Sequence, residues 1–280
     1  MNKTNLMKFG IHELDFSKKT FIMGILNITP DSFSDGGKYN DIDLAVLRAI
    51  RMVEEGADII DIGGESTRPG AVKVSAEEEL ARVIPIIQAV SNVVDIPISI
   101  DTYKYEVAKQ AIKAGATIIN DVWGAKAEPK IAELSANYKL PIVLTHNRDN
   151  KNYTNLINDM IADLQVSIAI CEQAGVEHDK IILDPGIGFA KTYDQNIEVM
   201  QNLDRITALG YPVLLGTSRK SMIGMALNLP AEERLEGTQA TVCYGVMKGC
   251  HIMRVHDVLQ ISRTAQMMDV LMGRSDLRNG

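Results

Sequence analysis

The segment PISIDTYKYEVAKQAIKAGATIIND (residues 97–121) decides the fold, because it contains a complete strand–helix–strand unit. Its two ends, 97–101 and 117–121, are short apolar runs, and the helical pattern between them ends at Gly115. Such runs are typical of strands that are covered on both faces, as in parallel sheets. A glycine that follows a helix adopts the left-handed C-cap conformation at little steric cost. The segment therefore predicts two parallel strands joined by a helix.

The same pattern recurs along the whole chain. The predicted strands are FIMGILN (21–27), ADIIDIG (57–63), PISID (97–101), TIIND (117–121), PIVLTH (141–146), IILDP (181–185), PVLLGTS (212–218) and HIMRVH (251–256). The glycines that end the intervening helical patterns are Gly56, Gly115, Gly175, Gly210 and Gly249. Eight such units without a break in composition predict a (β/α)8 TIM barrel that forms a single domain over residues 1–280. A doubly wound open sheet is the alternative.

Two of the predicted strand-to-helix loops are unusually long. They cover residues 28–42 after the first strand and 63–76 after the second. Long loops in compact domains commonly serve as lids or binding loops. We therefore expect both loops to border an active site.

Composition and charge narrow the class of protein. Apolar residues make up 46% of the 280 residues, which is ample for a buried core, and the net charge is −7. An acidic chain is not expected to bind nucleic acid, although a locally basic pocket could still bind a small anion. Three cysteines without a CxxC pair indicate reduced thiols and a cytoplasmic location. No apolar run has transmembrane length and the N-terminus lacks a signal-peptide core, so no membrane partner is expected.

Polar residues concentrate at the C-terminal ends of the predicted strands. They are Asn27, Asp61, Asp101, Asn120, Asp121, His146, Asp184, Ser218, Arg254 and His256. In a (β/α)8 barrel these ends meet at one face, where active sites lie. Asp121 is better explained as a helix N-cap. Asp58 begins its strand and would stabilise the opposite face.

The predicted pocket combines two kinds of chemistry. Asp101, Asn120 and Asp184 offer acceptors and an amide, which suit a flat heterocycle with N–H edges. Lys220, Arg254 and His256 offer donors, and Arg254 and His256 are two apart on a strand and share one face. Such a pair suits a phosphate. The alternatives are a salt bridge within the barrel for Arg254 and a hydrogen-bonded core histidine for His256.

The segment GTSRKSMIG (216–224) runs from a strand end into a helix. Helix N-termini bind anions through free N–H groups, so a carboxylate or phosphate would suit this position, with Ser221 adding a hydroxyl. Ordinary capping by Ser218 or Ser221 explains the same pattern equally well.

Several long motifs then resemble those of the dihydropteroate synthase family, in the family's order. MGILNITPDSFSDGG (23–37) and DIGGESTRPGA (61–71) are similar to its two signature segments. The remaining matches are SIDT (99–102), INDVWG (119–124), LDPGIGF (183–189), GTSRKS (216–221) and RVHDV (254–258). The resemblance implies a (β/α)8 enzyme that condenses 6-hydroxymethyl-7,8-dihydropterin diphosphate with p-aminobenzoate and releases pyrophosphate.

The resemblance also implies the role of each matching residue. Those implied for the pterin are Asp101, Asn120, Asp184, Lys220 and Arg254. Those implied for the diphosphate are Asn27, Thr67, Arg68, Arg254 and His256. Those implied for p-aminobenzoate are Phe33, Thr67, Pro69, Phe189, Lys220 and Ser221. Lys220, Arg254 and His256 would be catalytic.

The family further implies a magnesium cofactor held in part by Asn27, and a homodimer. A single amide oxygen is a sufficient protein anchor, because Mg²⁺ keeps its waters and favours phosphate oxygens. Two positions depart from the family pattern. Thr145 stands where many relatives have methionine, and Met222 stands where phenylalanine is common.

Two other functions fit parts of the pattern. A pterin-binding methyltransferase barrel of the corrinoid pathway could share Asp101, Asn120 and Asp184, but it would not need the two long loops or the cationic group. A non-catalytic pterin carrier would not need the loop and anion-binding residues.

Overall fold

Eight parallel strands form a barrel, preceded by an antiparallel hairpin. The computed structural model describes residues 5–28, 38–65 and 73–274. The hairpin strands are β1 (Leu6–Phe9) and β2 (His12–Asp15). The barrel strands are β3 (Phe21–Asn27), β4 (Ile59–Gly63), β5 (Ile98–Asp101), β6 (Ile118–Asp121), β7 (Ile142–Thr145), β8 (Ile181–Asp184), β9 (Leu214–Leu215) and β10 (Ile252–Val255). The predicted TIM barrel is confirmed.

The barrel closes through the pairing of the first and last of its strands. Strands follow one another in chain order from β3 to β8, β10 pairs with both β3 and β9, and a parallel bridge between Leu183 and Val213 joins β8 to the β9 segment. An open doubly wound sheet would leave two strand edges unpaired, so this alternative is excluded.

Several predicted strands are longer than the ladders observed. The largest difference is in the seventh, where residues 212–218 were expected and only Leu214–Leu215 form a strand. Pro212 has no N–H to donate, and beyond Leu215 the chain bends towards Arg219, which adopts a positive φ of 58°. Apolar content predicted the strand but could not mark where the backbone leaves the ladder.

Ten α-helices cover the barrel in the part of the chain that the structure describes. They are α1 (Lys38–Glu54), α2 (Ala76–Ser91), α3 (Tyr105–Ala114), α4 (Ile131–Tyr138), α5 (Leu156–Gln173), α6 (Tyr193–Gln201), α7 (Leu203–Thr207), α8 (Ser221–Leu227), α9 (Leu235–Met247) and α10 (Val258–Leu271). All five glycines predicted to follow helices have φ between 87° and 120°. No helix among the described residues is long and apolar enough to cross a membrane.

Helix α1 begins earlier than the sequence predicted. The first long loop was expected to reach residue 42, but helical structure starts at Lys38. The first turn carries Asp41, which a helix N-terminus favours, yet it lacks the apolar spacing by which the helix was recognised. Most of the two long loops, including 29–37 and 66–72, lies outside the described residues.

The hairpin β1–β2 was not predicted, and it covers the N-terminal end of the barrel. Its apolar residues alternate with polar ones, and Met7, Phe9 and Leu14 are buried. They pack in one cluster with inward residues of the barrel strands: Phe21, Met23, Ile59, Ile118, Val143, Ile182, Leu214 and Ile252. The N-terminal end of the barrel interior is therefore a closed apolar core.

The interior becomes polar one layer above this cluster. Because side chains on a strand alternate between faces, the residue two positions after each inward apolar residue also points inward. At that level stand Asp61, Asn120, Thr145, Asp184 and Arg254. Asp101 pairs in register with Asn120 and with Gly63. The strand-end polar residues therefore meet inside the C-terminal end of the barrel.

Candidate active site

Arg254 lies between two buried carboxylates. Its Nε donates to Asp61 Oδ2 at 2.6 Å, and its Nη2 donates to Asp101 Oδ2 at 2.6 Å. Asn120 Nδ2 also donates to Asp61 Oδ2, at 3.1 Å. The salt bridge weighed as an alternative for Arg254 is thus present. Asp61, fully buried, joins β4 to β6 and β10 in a role that sequence reasoning did not assign.

Two carboxylates share this one guanidinium, so part of their charge is uncompensated. Burial raises the pKa of Asp101 to about 7, which Arg254 opposes and Asp61 reinforces. Asp61 Oδ1 and Asp101 Oδ1 are buried and accept no hydrogen bond from the residues that the structure describes. Because buried polar atoms in native proteins are nearly always paired, such acceptors require an explanation, and a bound ligand with N–H groups is one.

The DPGIGF segment forms a tight turn beneath Asp184. Asp184 Oδ1 accepts from Gly186 N at 2.7 Å, and Phe189 N donates to Gly186 O at 3.0 Å. Gly186 has a φ of 66°, and a Cβ there would lie 2.0 Å from His146 O, so only glycine fits. Burial raises the pKa of Asp184, opposed mainly by Lys220.

Lys220 is the residue immediately before α8 and reaches back to this turn. Its Nζ donates to Ile187 O and lies 4.6 Å from the centre of the Phe189 ring. Burial lowers the pKa of Lys220 to about 8, and Asp184 opposes that shift. The structure therefore brings Lys220 to Asp184 and Phe189, which belong to a segment distant from it in sequence.

Ser218 pairs with His256 and does not cap α8. Ser218 Oγ lies 3.0 Å from His256 Nδ1 and accepts from His256 N at 3.2 Å. His256 O also accepts from Arg48 Nη2 at 3.2 Å. The N-cap of α8 is Lys220, whose side chain makes no capping bond, so the capping by Ser218 or Ser221 that was weighed as an alternative to anion binding is absent. Ser221 is exposed at the first turn of the helix.

The other predicted residues are at the rim or outside the described chain. Asn27 is exposed at the end of β3, in register with Gly63. Phe33, Thr67, Arg68 and Pro69 lie outside the described residues. Both departures from the family pattern, Thr145 and Met222, are buried.

Two aspartates have structural roles, but only Asp58 has the one that the sequence predicted. Asp121 was expected to cap a helix, which is wrong, because the next helix, α4, begins at Ile131 with Lys130 as its N-cap. Asp121 accepts from Trp123 N at 2.8 Å and Ala125 N at 2.7 Å, and so caps the turn after β6. Asp58 Oδ2 accepts from Ile22 N at 2.9 Å at the N-terminal end of the barrel, where Lys19 pairs with it.

Sequence reasoning missed a buried polar network behind the Asp184 turn. Lys191 Nζ lies 3.0 Å from His146 Nδ1, and His146 Nε2 lies 2.9 Å from Asp163 Oδ2. Burial and the neighbouring Lys191 lower the pKa of His146 to about 3, so its ring is neutral. Burial also lowers the pKa of Lys191 to about 7, with Asp184 opposing. In the sequence, Lys191 is a single lysine that follows the segment 184–189, and no pattern there predicts its contact with His146.

A separate cavity of about 540 Å³ opens between the loops that follow β5, β6 and β7. Its lining includes Tyr103, Trp123, Lys126 and Arg148. None of the predicted site residues that the structure describes lines it. The cluster around Arg254, Asp184 and Lys220 is therefore defined by its chemistry and not by the size of the opening.

The chain was compared with known families and structures. Residues 23–256 match the model of the family described as "Pterin binding enzyme". A dihydropteroate synthase of Clostridium beijerinckii is 60% identical over 96% of this chain and 100% of its own length. The fold is similar to that of a Clostridium difficile dihydropteroate synthase solved with pteroic acid, with a TM-score of 0.90, 49% identity and coverage of 92% of this chain and 98% of that one. It is also similar to a Xanthomonas albilineans dihydropteroate synthase solved with 4-aminobenzoic acid, with a TM-score of 0.91, 37% identity and coverage of 96% and 98%.

Proposed function

The chain belongs to the dihydropteroate synthase family of pterin-binding enzymes, and from this we propose how its residues perform the family's reaction. The reaction joins 6-hydroxymethyl-7,8-dihydropterin diphosphate to p-aminobenzoate and gives 7,8-dihydropteroate and pyrophosphate. The observation that carries the proposal is the buried cluster of Asp61, Asp101, Asn120 and Asp184 around Arg254.

This cluster would bind the pterin. Asp61 Oδ1 and Asp101 Oδ1 are buried acceptors without partners among the described residues, and the edge of an aminopyrimidinone ring supplies N–H donors. Asp184, which pairs in register with Thr145 on the neighbouring strand β7, adds a further buried carboxylate. Arg254 would pack over the ring face, since guanidinium groups stack on planar π-systems. The orphaned oxygens thus favour a ligand rich in N–H groups.

The diphosphate would lie near Arg254, His256 and Asn27, with Thr67 and Arg68 from the second long loop. Departure of pyrophosphate builds negative charge, and cationic or donor groups fixed beforehand lower the barrier to it. Arg254 is fixed by two carboxylates and His256 by Ser218, so neither must be reoriented during the reaction. These contacts support assigning both residues to the leaving group.

Magnesium would be held by Asn27 together with the diphosphate. No group of three acidic, histidine or cysteine side chains suited to a metal occurs in the described ranges, so the donor set does not form an all-protein cage. An exposed amide at a strand end fits an ion that keeps several waters and takes most other ligands from phosphate. Bound Mg²⁺ would neutralise charge on the diphosphate.

The p-aminobenzoate would occupy the space around Phe189, Lys220 and Ser221, with Phe33, Thr67 and Pro69 from the long loops. Lys220 Nζ lies over the Phe189 ring, which gives an ammonium and an aromatic surface side by side. An aromatic carboxylate matches both. The exposed first turn of α8 at Ser221 supports placing the carboxylate there.

A coupled turnover assay tests this function. With pterin diphosphate, p-aminobenzoate and Mg²⁺, we expect dihydropteroate and pyrophosphate to appear in equal amounts. Chelation of Mg²⁺ should abolish turnover, and added Mg²⁺ should restore it. Methyl transfer from methyltetrahydrofolate without Mg²⁺ would instead support the corrinoid-pathway alternative. Tight pterin binding without turnover would support a carrier.

We also propose that the chain forms a homodimer through α9 and α10. These helices pack against each other and expose large apolar side chains: Tyr244, Met247, Met267 and Leu271. Exposed apolar surface concentrated on neighbouring elements is typical of an interface.

A cytoplasmic location is supported by three cysteines that are free thiols, and cell fractionation would test it.

Met247→Glu and Leu271→Glu should each convert the dimer to a monomer, because an interface must then bury an unpaired carboxylate. The mass measured by light scattering should fall by half. Val166→Glu is the matched control, since Val166 is also exposed, and it lies on α5, which packs against α4 and α6. A wild-type chain that is monomeric, or a glutamate at 166 with the same effect, would contradict the proposal.

A further inference from the structure

Lys191 is the centre of the buried network behind the Asp184 turn. It is 4% exposed and its Nζ has three acceptors: Gly186 O at 2.9 Å, Phe189 O at 3.0 Å and His146 Nδ1 at 3.0 Å. An ammonium has three N–H bonds, so every donor is used in the protonated form of Lys191. Because His146 is neutral and faces Asp163 through Nε2, its Nδ1 is the acceptor for Lys191.

These bonds hold both ends of the turn that carries Phe189 and supports Lys220. The carbonyl between them, Ile187 O, is the one to which Lys220 Nζ donates. Displacement of the turn would therefore move the Phe189 ring and the acceptor of Lys220 together.

The rest of the turn is held from outside as well. Gly188 N donates to Asn196 Oδ1 at 2.6 Å, and Tyr153 Oη donates to Ala190 O at 3.0 Å. Gly188 and Ala190 have positive φ values of 86° and 47°, so this backbone conformation needs external support. Among these contacts, Lys191 supplies the only support that can carry a charge, and its side chain is itself buried.

We propose that Lys191 is a positioning residue for p-aminobenzoate: it fixes the 186–189 turn so that Phe189 and Lys220 keep the spacing that the aminobenzoate ring and carboxylate require. This inference rests on the proposed placement of p-aminobenzoate. Lys191 itself does not contact the substrates in this scheme. The backbone of Asp184 is held by the sheet, where its O accepts from His146 N at 2.9 Å, and the turn contributes only the bond from Gly186 N to its carboxylate. We therefore expect pterin binding to depend less on the turn than aminobenzoate binding does.

The decisive variant is Lys191→Met, which keeps most of the length of the side chain and removes its N–H donors. A hydrogen bond from a charged group contributes roughly 1.5–3 kcal/mol, so we expect the KM for p-aminobenzoate to rise by roughly ten- to a hundredfold. The KM for the pterin diphosphate and kcat should change by less than about threefold, which is within the usual scatter of indirect effects. Hydrogen exchange at the amides of Gly188 and Phe189 should accelerate.

Lys180→Met is the matched control. Lys180 is also buried, at 6% exposure, but it pairs with Asp179 at the opposite end of β8. It should leave both KM values and the exchange at residues 188 and 189 unchanged. Equal kinetic changes in the two variants would overturn the proposal, because they would reveal general destabilisation.

Tyr153→Phe provides a second variant if Lys191→Met does not fold. It removes only the hydrogen bond to Ala190 O, so it should raise the KM for p-aminobenzoate by about two- to fivefold and leave pterin binding unchanged. Unchanged aminobenzoate kinetics in a folded Lys191→Met protein would refute the inference. If the wild-type protein had no synthase activity, faster exchange at residues 188 and 189 alone would still establish the support of the turn.

Discussion

Asp184→Ala is expected to lower kcat/KM for the pterin diphosphate by roughly 10²- to 10⁴-fold. Two hydrogen bonds from the ligand to a buried carboxylate would be lost, each with about 1.5–3 kcal/mol, and each 1.4 kcal/mol is about tenfold. The substitution also removes the acceptor of Gly186 N and the negative charge that opposes the lowered pKa of Lys220. Steady-state kinetics and calorimetric titration with the pterin would measure the effect.

Two further variants separate charge from shape. Asp184→Asn can keep the bond from Gly186 N but not the charge, so its loss should be smaller, on the order of 10²-fold. Asp58→Ala is the control, since Asp58 accepts from Ile22 N at the other end of the barrel and should affect stability only. Near wild-type kinetics for Asp184→Asn would show that the carboxylate charge is not used.

The sequence predicted the barrel because each of its units carries a local signal. Runs such as 97–101 and 117–121 are apolar, and the helix between them ends at a glycine whose φ of 120° no other residue adopts easily. These signals do not depend on distant contacts. The first and last residues of strands and helices do depend on distant contacts. For this reason β9 is shorter than predicted, at Leu214–Leu215, and α1 begins earlier than predicted, at Lys38.

The sequence predicted which polar residues gather at the C-terminal end of the barrel, but it did not predict their hydrogen-bond partners. Strand-end polarity and the family motifs identified Asp101, Asn120, Asp184, Lys220 and Arg254. Which carboxylate would hold Arg254 depends on the register of β10, β3 and β4, which no local pattern encodes. The role of Asp61 and the position of Lys191 therefore appeared only in three dimensions.

Arg254→Met is the substitution expected to affect stability most. It would leave Asp61 and Asp101, 0% and 7% exposed, without their counter-charge. Removal of one partner from a buried ion pair commonly costs about 3–5 kcal/mol, and we expect this loss in the free energy of unfolding at neutral pH. Denaturant unfolding would measure it. Arg51→Met should cost no more than about 0.5 kcal/mol, because the Arg51 side chain is exposed and its partner Glu55 keeps its ion pair with Arg48.

The loss should depend on pH in a defined direction. The folded-state pKa of Asp101 is already raised from 3.8 to about 7. Protonation of Asp101 therefore contributes stability that is fully present below pH 3.8 and is lost as the pH rises through about 7. Without Arg254 the opposing positive charge is gone and this pKa rises further. The Arg254→Met protein should therefore be least stable, relative to wild type, above about pH 7.

A double variant identifies the source of the loss. If Arg254 stabilises the fold by compensating buried charge, Asp61→Asn should restore part of the stability lost in Arg254→Met, by about 1–3 kcal/mol in a double-mutant cycle. Additive effects would instead attribute the loss to packing of the arginine side chain. Activity should not recover in the double variant, because the guanidinium proposed to meet the pterin and the diphosphate is absent in both. Arg254 would thus contribute both to the stability of the barrel interior and to catalysis, and the double-mutant cycle separates these two contributions.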